Sequence, residues 1–453
     1  MKFRFQVALA LSSLALLPIG RAAMDDAPAQ DADVIVTAAP AYNATAALHG
    51  GERFPKGAQL MLVHAGKAAP LLENFAASSD ANLSYDGATV LFAGKQKPND
   101  PWQIFELTLA THAVRKVLGG EHDVVRPIYL PGQRMVFAQR GAKGFVLMTA
   151  NLDGSKPLAL TYGAASALPA DVLADGRVLF EAEYPLGTGT TPEMYLVYTD
   201  GSGLESYRCD HGVARWGGRQ LASGDVVFTH GATLARFTSA LANEAPVAAP
   251  HAEFAGSIAE TASGTWIVSA RSGNSEPFTL QSWKPGSTTM KPVVSERGTN
   301  LVEPVVVAAK MRPHQHPSAL HPWDYANLLA LDARLTRDGI LHGTPSKVRL
   351  ETRTADGRAV TLGTAPIEQD GSFFIQVPGD KPIRISVLDA RGTVLRSERG
   401  WFWSRGGEQR ICVGCHTGPE HASENRVPAV LDRTTTPADL TGAAPHTSTQ
   451  GGH

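Results

Sequence analysis

Residues 84–94 read SYDGATVLFAG, an Asp-Gly turn followed by a run of apolar and β-prone residues. The pattern returns as YLPGQRMVFAQ at 129–139, LADGRVLFEAE at 173–183, LASGDVVFTHG at 221–231 and TASGTWIVSAR at 261–271. Its aligned apolar positions lie roughly 40 to 48 residues apart; they are Phe92, Phe137, Phe180, Phe228 and Val268. That interval is the length of one four-stranded blade, so the repeat predicts a β-propeller.

The five repeats leave the number of blades open. A sixth blade would form if residues 54–66 joined the late strand at 301–309, and this closure would remove the exposed sheet edges of an open array. We therefore predict a six-bladed β-propeller at 53–310, with seven blades or a large β-sandwich as alternatives. Residues 24–52 are predicted to be a flexible leader.

Composition limits the classes of protein to consider. The 453 residues are enough for two or three domains, and the apolar fraction of 43% is ordinary for a globular protein. Lys plus Arg number 41 and Asp plus Glu number 43, so charge gives no reason to expect nucleic acid or an anionic membrane surface as a partner.

The N-terminus is typical of a secretory signal. Lys2 and Arg4 precede the apolar run VALALSSLALLPIG at 7–20, and the small residues Ala22 and Ala23 follow. We predict a signal peptide at 1–23 and a periplasmic or otherwise exported protein, with an uncleaved anchor as the alternative. The apolar run is too short to span a bilayer, and no membrane span is expected in the mature chain.

The second half of the chain begins with a proline-rich stretch. Pro313, Pro317 and Pro322 bias their neighbours away from helix, which indicates a linker at 311–345. From 346 the apolar pattern has period two, with D-G and R-G turns, and it predicts a small antiparallel β-sandwich-like domain at 346–432. The polar residues 433–453 are predicted to be disordered.

Residues 410–416 read RICVGCH and contain a C-x-x-C-H motif formed by Cys412, Cys415 and His416. This motif is typical of covalent c-type haem attachment, with the two thiols bound to the porphyrin and the imidazole as the proximal iron ligand. A thioredoxin-like redox pair, half a zinc site and a local disulfide are the alternatives. We predict one covalently attached haem c.

The ligand on the opposite side of the iron is left open by the sequence. Met or His at that position would give a six-coordinate electron-transfer haem, and the candidates are Met311, His314, His316, His321 and His421. His314 and His316 flank one residue in an extended segment, so both side chains should point the same way. Each of these residues could equally be a solvated side chain, and an iron without a sixth ligand could bind small molecules.

Cys209 is the third cysteine, within YRCDHGVAR, where it lies two residues before His211. Cys209 and His211 would share one side of a strand and could hold a second metal such as zinc, or face the haem. His122 and Asp123 are further catalytic candidates, in a loop before PIYLPG. The alternative for Cys209 is a buried structural thiol, and we found no hydrolase or nucleotide-binding signature.

Three stretches of the second half resemble the hydrazine synthase alpha subunit middle-domain family. They are RPHQHPS at 312–318, LGTAPIEQDGSFFIQVPGDKPIRISVLDARG at 362–392 and GEQRICVGCHTGPEHASENRVP at 407–428. The resemblance implies a propeller before a haem-bearing middle domain, in agreement with the repeat. In that family a further haem domain follows, whereas this sequence contains one haem motif.

The resemblance also implies chemistry. It suggests a catalytic iron with an open side, and an arrangement in which the motif His serves a nearby metal while a Tyr four residues later binds the iron. Glu420 occupies that later position here, and the last tyrosine of the sequence is Tyr325. This difference favours His416 as the proximal iron ligand.

Together these features predict an exported monohaem c-type cytochrome that transfers electrons to a redox partner protein. The first alternative is a haem oxidoreductase with an open iron that acts on a small-molecule substrate, such as a nitrogen compound by family analogy. The second is an interaction scaffold whose propeller binds a partner while the haem is structural. The oligomeric state is left open.

Overall fold

The regular secondary structure of the described residues is almost entirely β-strand. The computed structural model describes residues 32–163, 165–184, 190–208, 210–239, 241–336, 339–413 and 426–442. Its two helical segments within those ranges are a 3-10 helix at Ala46–His49 and a single short α-helix, α1, at Ala429–Arg433. None of the described helices is long and apolar enough to cross a membrane.

The described residues of the first part of the chain form twenty-five strands. In order they are β1 (Val34–Ala39), β2 (Gln59–His64), β3 (Lys67–Pro70), β4 (Ala77–Leu83), β5 (Thr89–Lys95), β6 (Gln103–Thr108), β7 (Ala113–Leu118), β8 (Val124–Leu130), β9 (Arg134–Arg140), β10 (Phe145–Asn151), β11 (Leu158–Ala159), β12 (Ala167–Val172), β13 (Val178–Tyr184), β14 (Thr191–Val197), β15 (Glu205–Ser206), β16 (Arg215–Gln220), β17 (Val226–His230), β18 (Thr233–Phe237), β19 (Ala245–Pro246), β20 (Glu253–Phe254), β21 (Ala259–Glu260), β22 (Trp266–Arg271), β23 (Thr279–Trp283), β24 (Lys291–Val294) and β25 (Asn300–Val306).

These strands form consecutive antiparallel sheets. The strand orders are β25-β1-β2-β3, β4-β5-β6-β7, β8-β9-β10-β11, β12-β13-β14-β15, β16-β17-β18-β19 and β20-β22-β23-β24, with β21 also paired to β22. Strand β25 packs against β4 of the next sheet and against β22 of the last one, so the first sheet lies between the second and the last. This cyclic order of sheets is of the β-propeller type.

The repeat read from the sequence marks the second strand of five sheets. Phe92, Phe137, Phe180, Phe228 and Val268 lie on β5, β9, β13, β17 and β22. All five side chains are fully buried, at 0% exposure. Burying an apolar side chain of this size contributes about 1.5–3 kcal/mol, so the aligned positions supply the apolar contacts that each sheet needs.

Carboxylates on one sheet bind backbone N–H groups of the next sheet. Asp80 accepts from Arg126 at 3.0 Å, Asp171 from Gln220 at 2.9 Å and Glu181 from Gly217 at 2.5 Å. A buried backbone N–H that lacks a strand partner must find another acceptor, and these side chains provide one. The contacts join neighbouring sheets near their first strands.

A buried set of charged side chains, the central ion cluster, consists of Arg53, Asp80, Arg126, Glu181 and Glu303. Arg53 donates to Asp80 and, at 2.5 Å, to Glu303, while Arg126 donates to Glu181 at 3.0 Å. Asp80, Arg126 and Glu303 have φ values of 60°, 51° and 57°, in the left-handed region. Such backbone costs on the order of 1–3 kcal/mol per residue, so the ion pairs help to hold it.

The predicted flexible leader at 24–52 is wrong for part of its length. Residues Val34–Ala39 form β1, which lies inside the first sheet between β25 and β2. The predicted association of 54–66 with 301–309 is found in that sheet, with β1 between the two segments. The leader was misread because the partner β25 lies far away in the sequence, where no local pattern reveals the pairing.

Ten strands lie in the described residues of the second part of the chain. They are β26 (Tyr325–Ala330), β27 (Leu335–Thr336), β28 (Gly339–Ile340), β29 (Lys347–Arg353), β30 (Ala359–Pro366), β31 (Phe373–Pro378), β32 (Ile383–Leu388), β33 (Val394–Ser397), β34 (Gln409–Cys412) and β35 (Ala438–Asp439). Two four-stranded sheets, β30-β29-β32-β33 and β34-β26-β31-β35, enclose one apolar core. The predicted β-sandwich-like domain is therefore present.

Three details of that domain differ from the prediction. Strand β26 begins at Tyr325, inside the predicted linker at 311–345, and its residues Ala326 and Leu328 are buried in the core. The β26–β34 and β31–β35 pairs are parallel, so one sheet is mixed rather than antiparallel. Strand β35 and the end of α1 lie in the predicted disordered tail at 433–453, because edge pairing with β31 orders residues that a polar composition had assigned to disorder.

The extended segment before β26 runs over turns of the first part. Lys310 donates its backbone N–H to Tyr85 at 2.9 Å, and His314 donates to Ala174 at 2.9 Å. The ring of His316 lies 4.3 Å from that of Tyr198, between centroids. The segment is therefore attached to two different sheets rather than free.

Contacts in the segment from Trp403 to Arg410 join the two parts of the chain. Trp403 is buried in the core formed by β8–β14 and donates its indole N–H to Leu160 at 3.3 Å. Arg410 donates to the Leu204 carbonyl at 2.6 Å, and Glu408 accepts the Gly203 backbone N–H at 3.1 Å. The strand that carries Cys412 therefore starts from an anchored position.

Candidate functional site

Cys412 is the last residue of β34, and β34 lies at the edge of the mixed sheet. It pairs in parallel with β26, with Cys412 opposite Ala330, and the Cys412 carbonyl accepts the Leu331 backbone N–H at 2.9 Å. The side chain is half-buried and packs against the sandwich core. The strand pairing therefore fixes the backbone of the first motif cysteine.

Arg410 is the charged neighbour of the Cys412 thiol. Burial raises the pKa of this thiol above its usual value, while the charge of Arg410 and a hydrogen bond from it act in the opposite direction. Arg410 and Cys412 are two residues apart on one strand, so their side chains project to the same side. The alternation of a β-strand in RIC could have revealed Arg410 from the sequence, but we did not identify it there.

Exposed apolar side chains flank the motif. Ile411, Val413 and Val427 are 66%, 39% and 65% exposed, although large apolar residues are normally covered. They occupy both ends of the segment that contains Cys415 and His416. Ile411 precedes Cys412 on β34, so its side chain projects to the opposite side from the thiol, which packs against the sandwich core. Of the groups that a covalently attached haem would need, the described residues supply the Cys412 thiol.

The aromatic residues before the motif have separate environments. Trp401 is 4% exposed and lies between the guanidinium groups of Arg353 and Arg384, 5.0 and 4.8 Å from its ring centroid. Trp403 is buried in the first part of the chain, as described above. Phe402 lies 5.8 Å from Arg410 and packs against both apolar cores. Phe402 therefore packs against the same apolar core as Cys412.

Several predicted site residues lie outside the described residues. These are Cys209, Cys415, His416, Glu420 and His421. Their predicted roles therefore stay predictions. Within the described ranges, no group of three or more His, Cys, Asp or Glu side chains is arranged to hold a metal ion.

Asp123 and His122, predicted as catalytic candidates, differ in their surroundings. Asp123 accepts hydrogen bonds from the Trp102 backbone N–H at 3.0 Å and from Arg140 at 3.1 Å. His122 is exposed to solvent. These contacts of Asp123 are ones that hold a strand connection in place, and its predicted catalytic role has no support in them.

His211 forms a half-buried pair with a carboxylate. Its Nδ1 lies 2.8 Å from Glu193 Oε2, and the other oxygen of Glu193 accepts the Gly212 backbone N–H at 2.6 Å. The next residue back, Asp210, pairs with Arg215. A carboxylate in this position orients an imidazole, whether the ring serves a structural or a chemical role.

The candidate distal ligands are spread along the extended segment before β26. Met311 is 85% exposed, and His314 and His316 are exposed on turns of the first part. His321 stacks on Trp323 at 4.2 Å, and its backbone N–H is bound to Gly407. Gly407 lies five residues before Cys412 on the same strand path, about 16 Å in extended chain. The structure thus places these residues at separate points along the segment, and their role as iron ligands stays a prediction.

Residues 331–417 match the family described as hydrazine synthase alpha subunit middle domain. The matched range includes the whole C-x-x-C-H motif. No curated protein matches the sequence.

Two solved structures are similar to this one. Kuenenia stuttgartiensis hydrazine synthase has a TM-score of 0.77 at 15% sequence identity, over 89% of this chain and 72% of that chain. TolB from Acinetobacter baumannii has a TM-score of 0.47 at 13% identity, over 61% of this chain and 67% of that chain. The first likeness confirms the mainly β fold, and the family match confirms the resemblance seen in the sequence. The resemblance of this chain to the hydrazine synthase alpha subunit middle-domain family thus covers residues 331–417.

Proposed function

We propose that this protein is an exported c-type cytochrome that carries one haem and transfers electrons. The observation that carries the proposal is the C-x-x-C-H motif at the end of β34, within the range matched by a redox family. When bound, the haem would supply a reversible one-electron change at its iron. The signal-like N-terminus supports a periplasmic or otherwise exported location.

Each residue of the motif would have its own role in holding the haem. Cys412 and Cys415 would tether the porphyrin, and His416 would be the proximal ligand. Strands β34 and β26 would hold the first tether, and Arg410 would place a positive charge beside it.

The first part of the chain would serve as a six-bladed propeller. Its cyclic series of antiparallel sheets supports this count, with β25 and β1 closing the ring. Closure without free edges suits a rigid platform on which a second protein binds. A redox partner protein is therefore the partner we propose.

The alternative is a haem oxidoreductase with an open iron that acts on a small nitrogen compound. What favours it is the family match, together with the fold shared with a structure named hydrazine synthase. An additional metal such as zinc belongs to this alternative. In it, the histidines and Met311 of the extended segment would not bind the iron.

One experiment tests both functions. The chain is produced in a host that attaches c-type haem, and its reduced absorption spectrum is recorded with and without carbon monoxide. Low-spin iron that ignores carbon monoxide would support electron transfer, whereas high-spin iron that binds it would support catalysis. A Cys412→Ala, Cys415→Ala double variant is the control and should lose haem staining after denaturation. The absence of covalent haem from the unaltered chain would refute the proposal.

A further inference from the structure

The outer face of the β29–β32 pair carries more positive than negative charge. We define the arginine patch as Arg349, Glu351, Arg353, Arg384 and Trp401. Glu351 lies opposite Arg384 in the strand register, and Arg384 donates to it at 2.9 Å. Arg349 and Arg353 flank Glu351 at two-residue spacing on β29, which places their side chains on the same face.

The positive groups of the patch are only partly neutralised. Arg349 Nε is 3.7 Å from Glu351, too far for a hydrogen bond. Arg353 has no carboxylate partner among the described residues; its guanidinium lies over Trp401. The Nε atoms of Arg349 and Arg353 are buried without a hydrogen-bond acceptor in the part of the chain that the structure describes. The patch therefore contains three guanidinium groups and one carboxylate.

The guanidinium groups are partly buried but accessible. The side chains of Arg349 and Arg384 are 28% and 29% exposed, and that of Glu351 is 11% exposed. Trp401, between Arg353 and Arg384, limits their movement, so little side-chain entropy would be lost when an anion binds. An unpaired, partly desolvated guanidinium gains more from a carboxylate than a fully hydrated one does.

We propose that the arginine patch is the docking surface for an acidic protein partner. Its charge is complementary to carboxylates, and its arginines extend over four residues of β29, about 13 Å. That distance is far larger than one carboxylate or phosphate group, so the patch fits several carboxylates on one surface better than a single small anion.

The patch lies close to the motif through the segment 401–402. Trp401 and Phe402 are consecutive residues of an extended segment and point to opposite sides. Trp401 belongs to the patch, while Phe402 faces Arg410, which contacts the Cys412 thiol. As a contact surface for the redox partner in addition to the propeller, the patch rests on the electron-transfer function proposed above, but anion binding by the patch can be measured without any redox reaction.

The test uses the full mature chain and a fluorescein-labelled oligoglutamate peptide as probe. Fluorescence anisotropy is measured at low ionic strength, and oligolysine and inorganic phosphate serve as comparison probes. We expect oligoglutamate to bind and oligolysine not to bind. We expect the affinity to fall as salt is raised, because screening weakens exposed ion pairs.

Variants locate the binding. Arg353→Gln is expected to weaken oligoglutamate binding roughly tenfold, since one charge-assisted contact is lost. Arg353→Lys should retain most of the binding. Arg236→Gln is the matched control, because Arg236 lies on β18, is partly exposed and is paired with Asp225. Thermal unfolding of each variant verifies that the fold is intact.

Three outcomes would overturn the proposed docking surface. Equal affinity in Arg353→Gln and the unaltered chain would overturn the proposal, as would phosphate binding as tight as that of oligoglutamate. Self-association at low salt that Arg353→Gln abolishes would identify a second copy as the occupant and would also overturn it. The haem spectrum of Arg353→Gln should be unchanged, so a failed electron-transfer function and a failed docking surface give different results.

Discussion

Replacing Arg53 by Met should destabilise the first part of the chain severely. The Arg53 side chain is 4% exposed and bridges Asp80 on β4 to Glu303 on β25. These strands belong to neighbouring sheets at the point where the first sheet closes the series. Met fills a similar volume, so the change removes the charge and its hydrogen bonds without creating a large cavity.

The size of the destabilisation follows from Asp80 and Glu303, the two buried carboxylates that lose their Arg53 partner. Removing one partner from a buried ion pair costs about 3–5 kcal/mol, because the remaining charge stays buried without compensation. For a domain of this size, each kcal/mol lowers the melting temperature by roughly 2–4 °C. We therefore expect a fall of roughly 6–20 °C.

The loss of stability in Arg53→Met should depend on pH. Burial raises the pKa of Glu303, and the charge of Arg53 opposes that increase, so the variant should have a still higher Glu303 pKa. A group whose folded pKa is raised contributes stability that is fully present below its unfolded pKa and is lost as pH rises through the folded pKa. The deficit of the variant should therefore be small near about pH 4 and largest near about pH 8.

The assay is thermal unfolding followed by circular dichroism at both pH values. Arg358→Met is the control, since Arg358 is highly exposed and pairs with an exposed carboxylate. Arg53→Lys should give an intermediate loss, because it keeps the charge but not the two-pronged hydrogen bonding. A deficit below about 1 kcal/mol, or one that is equal at both pH values, would refute the reasoning.

Three further changes test other parts of the fold. Trp403→Ala should lower the free energy of unfolding by about 3–5 kcal/mol, because a fully buried indole and its hydrogen bond to Leu160 are lost; urea denaturation measures this, and a loss under about 1 kcal/mol would contradict it. Gly407 has φ +84°, and a Cβ added there would lie 1.9 Å from the His321 carbonyl oxygen. Gly392 has a similar φ of +86°, but an added Cβ would meet no atom within 4 Å. Gly407→Ala should therefore be far less stable than Gly392→Ala. The backbone cost alone is about 1–2 kcal/mol, and melting temperatures that agree between these two variants would exclude the clash. Burial acts to raise the pKa of Asp370, but hydrogen bonds from the Ala429 backbone and from Ser372 hold it below its usual value. Asp370→Ala should therefore cost about 1 kcal/mol at neutral pH, and the cost should disappear as pH falls through the lowered folded pKa; chemical denaturation at neutral and acidic pH decides this.

The features predicted correctly from the sequence are those that local patterns encode. The aligned residues from Phe92 to Val268 mark hairpins whose turn and strand are adjacent in the chain. The same is true of the period-two strands β29–β32 in the sandwich-like domain. Both sets of strands follow from alternation and turn residues alone, without knowledge of distant partners.

The features that the prediction missed depend on distant residues. Strand β1 pairs with β25, and β26 pairs with β34 and β31, across long intervals of sequence. The central ion cluster joins Arg53 to Glu303, and its left-handed backbone at Asp80 and Arg126 has no sequence signal, since Gly is the usual residue there. These features form only when residues that are distant in the sequence come together in the folded chain.

The candidate site likewise has features that the local sequence reveals and features that depend on distant residues. The motif around Cys412 can be recognised in the sequence because the haem attachment that we propose requires fixed spacing. The charged neighbour Arg410 and the arginine patch depend on which strand faces are exposed, which requires the pairing of β29 with β32 and of β34 with β26. The distal-ligand predictions on the extended segment stay predictions, because a linear sequence does not give distances across domains.

The contacts that hold β34 in place should affect the orientation of the proposed haem and not its covalent attachment. The strand is bound to the first part through Glu408 and Arg410, and to the second part through β26. Covalent attachment needs only two thiols and an imidazole at the correct spacing, which a short unfolded segment can provide. The direction in which the proposed haem would face depends on where Cys412 is held, and both parts of the chain determine that position. Loss of the Leu204 and Gly203 contacts should therefore leave attachment intact while changing the surroundings of the haem, which would make the domain junction part of the proposed site.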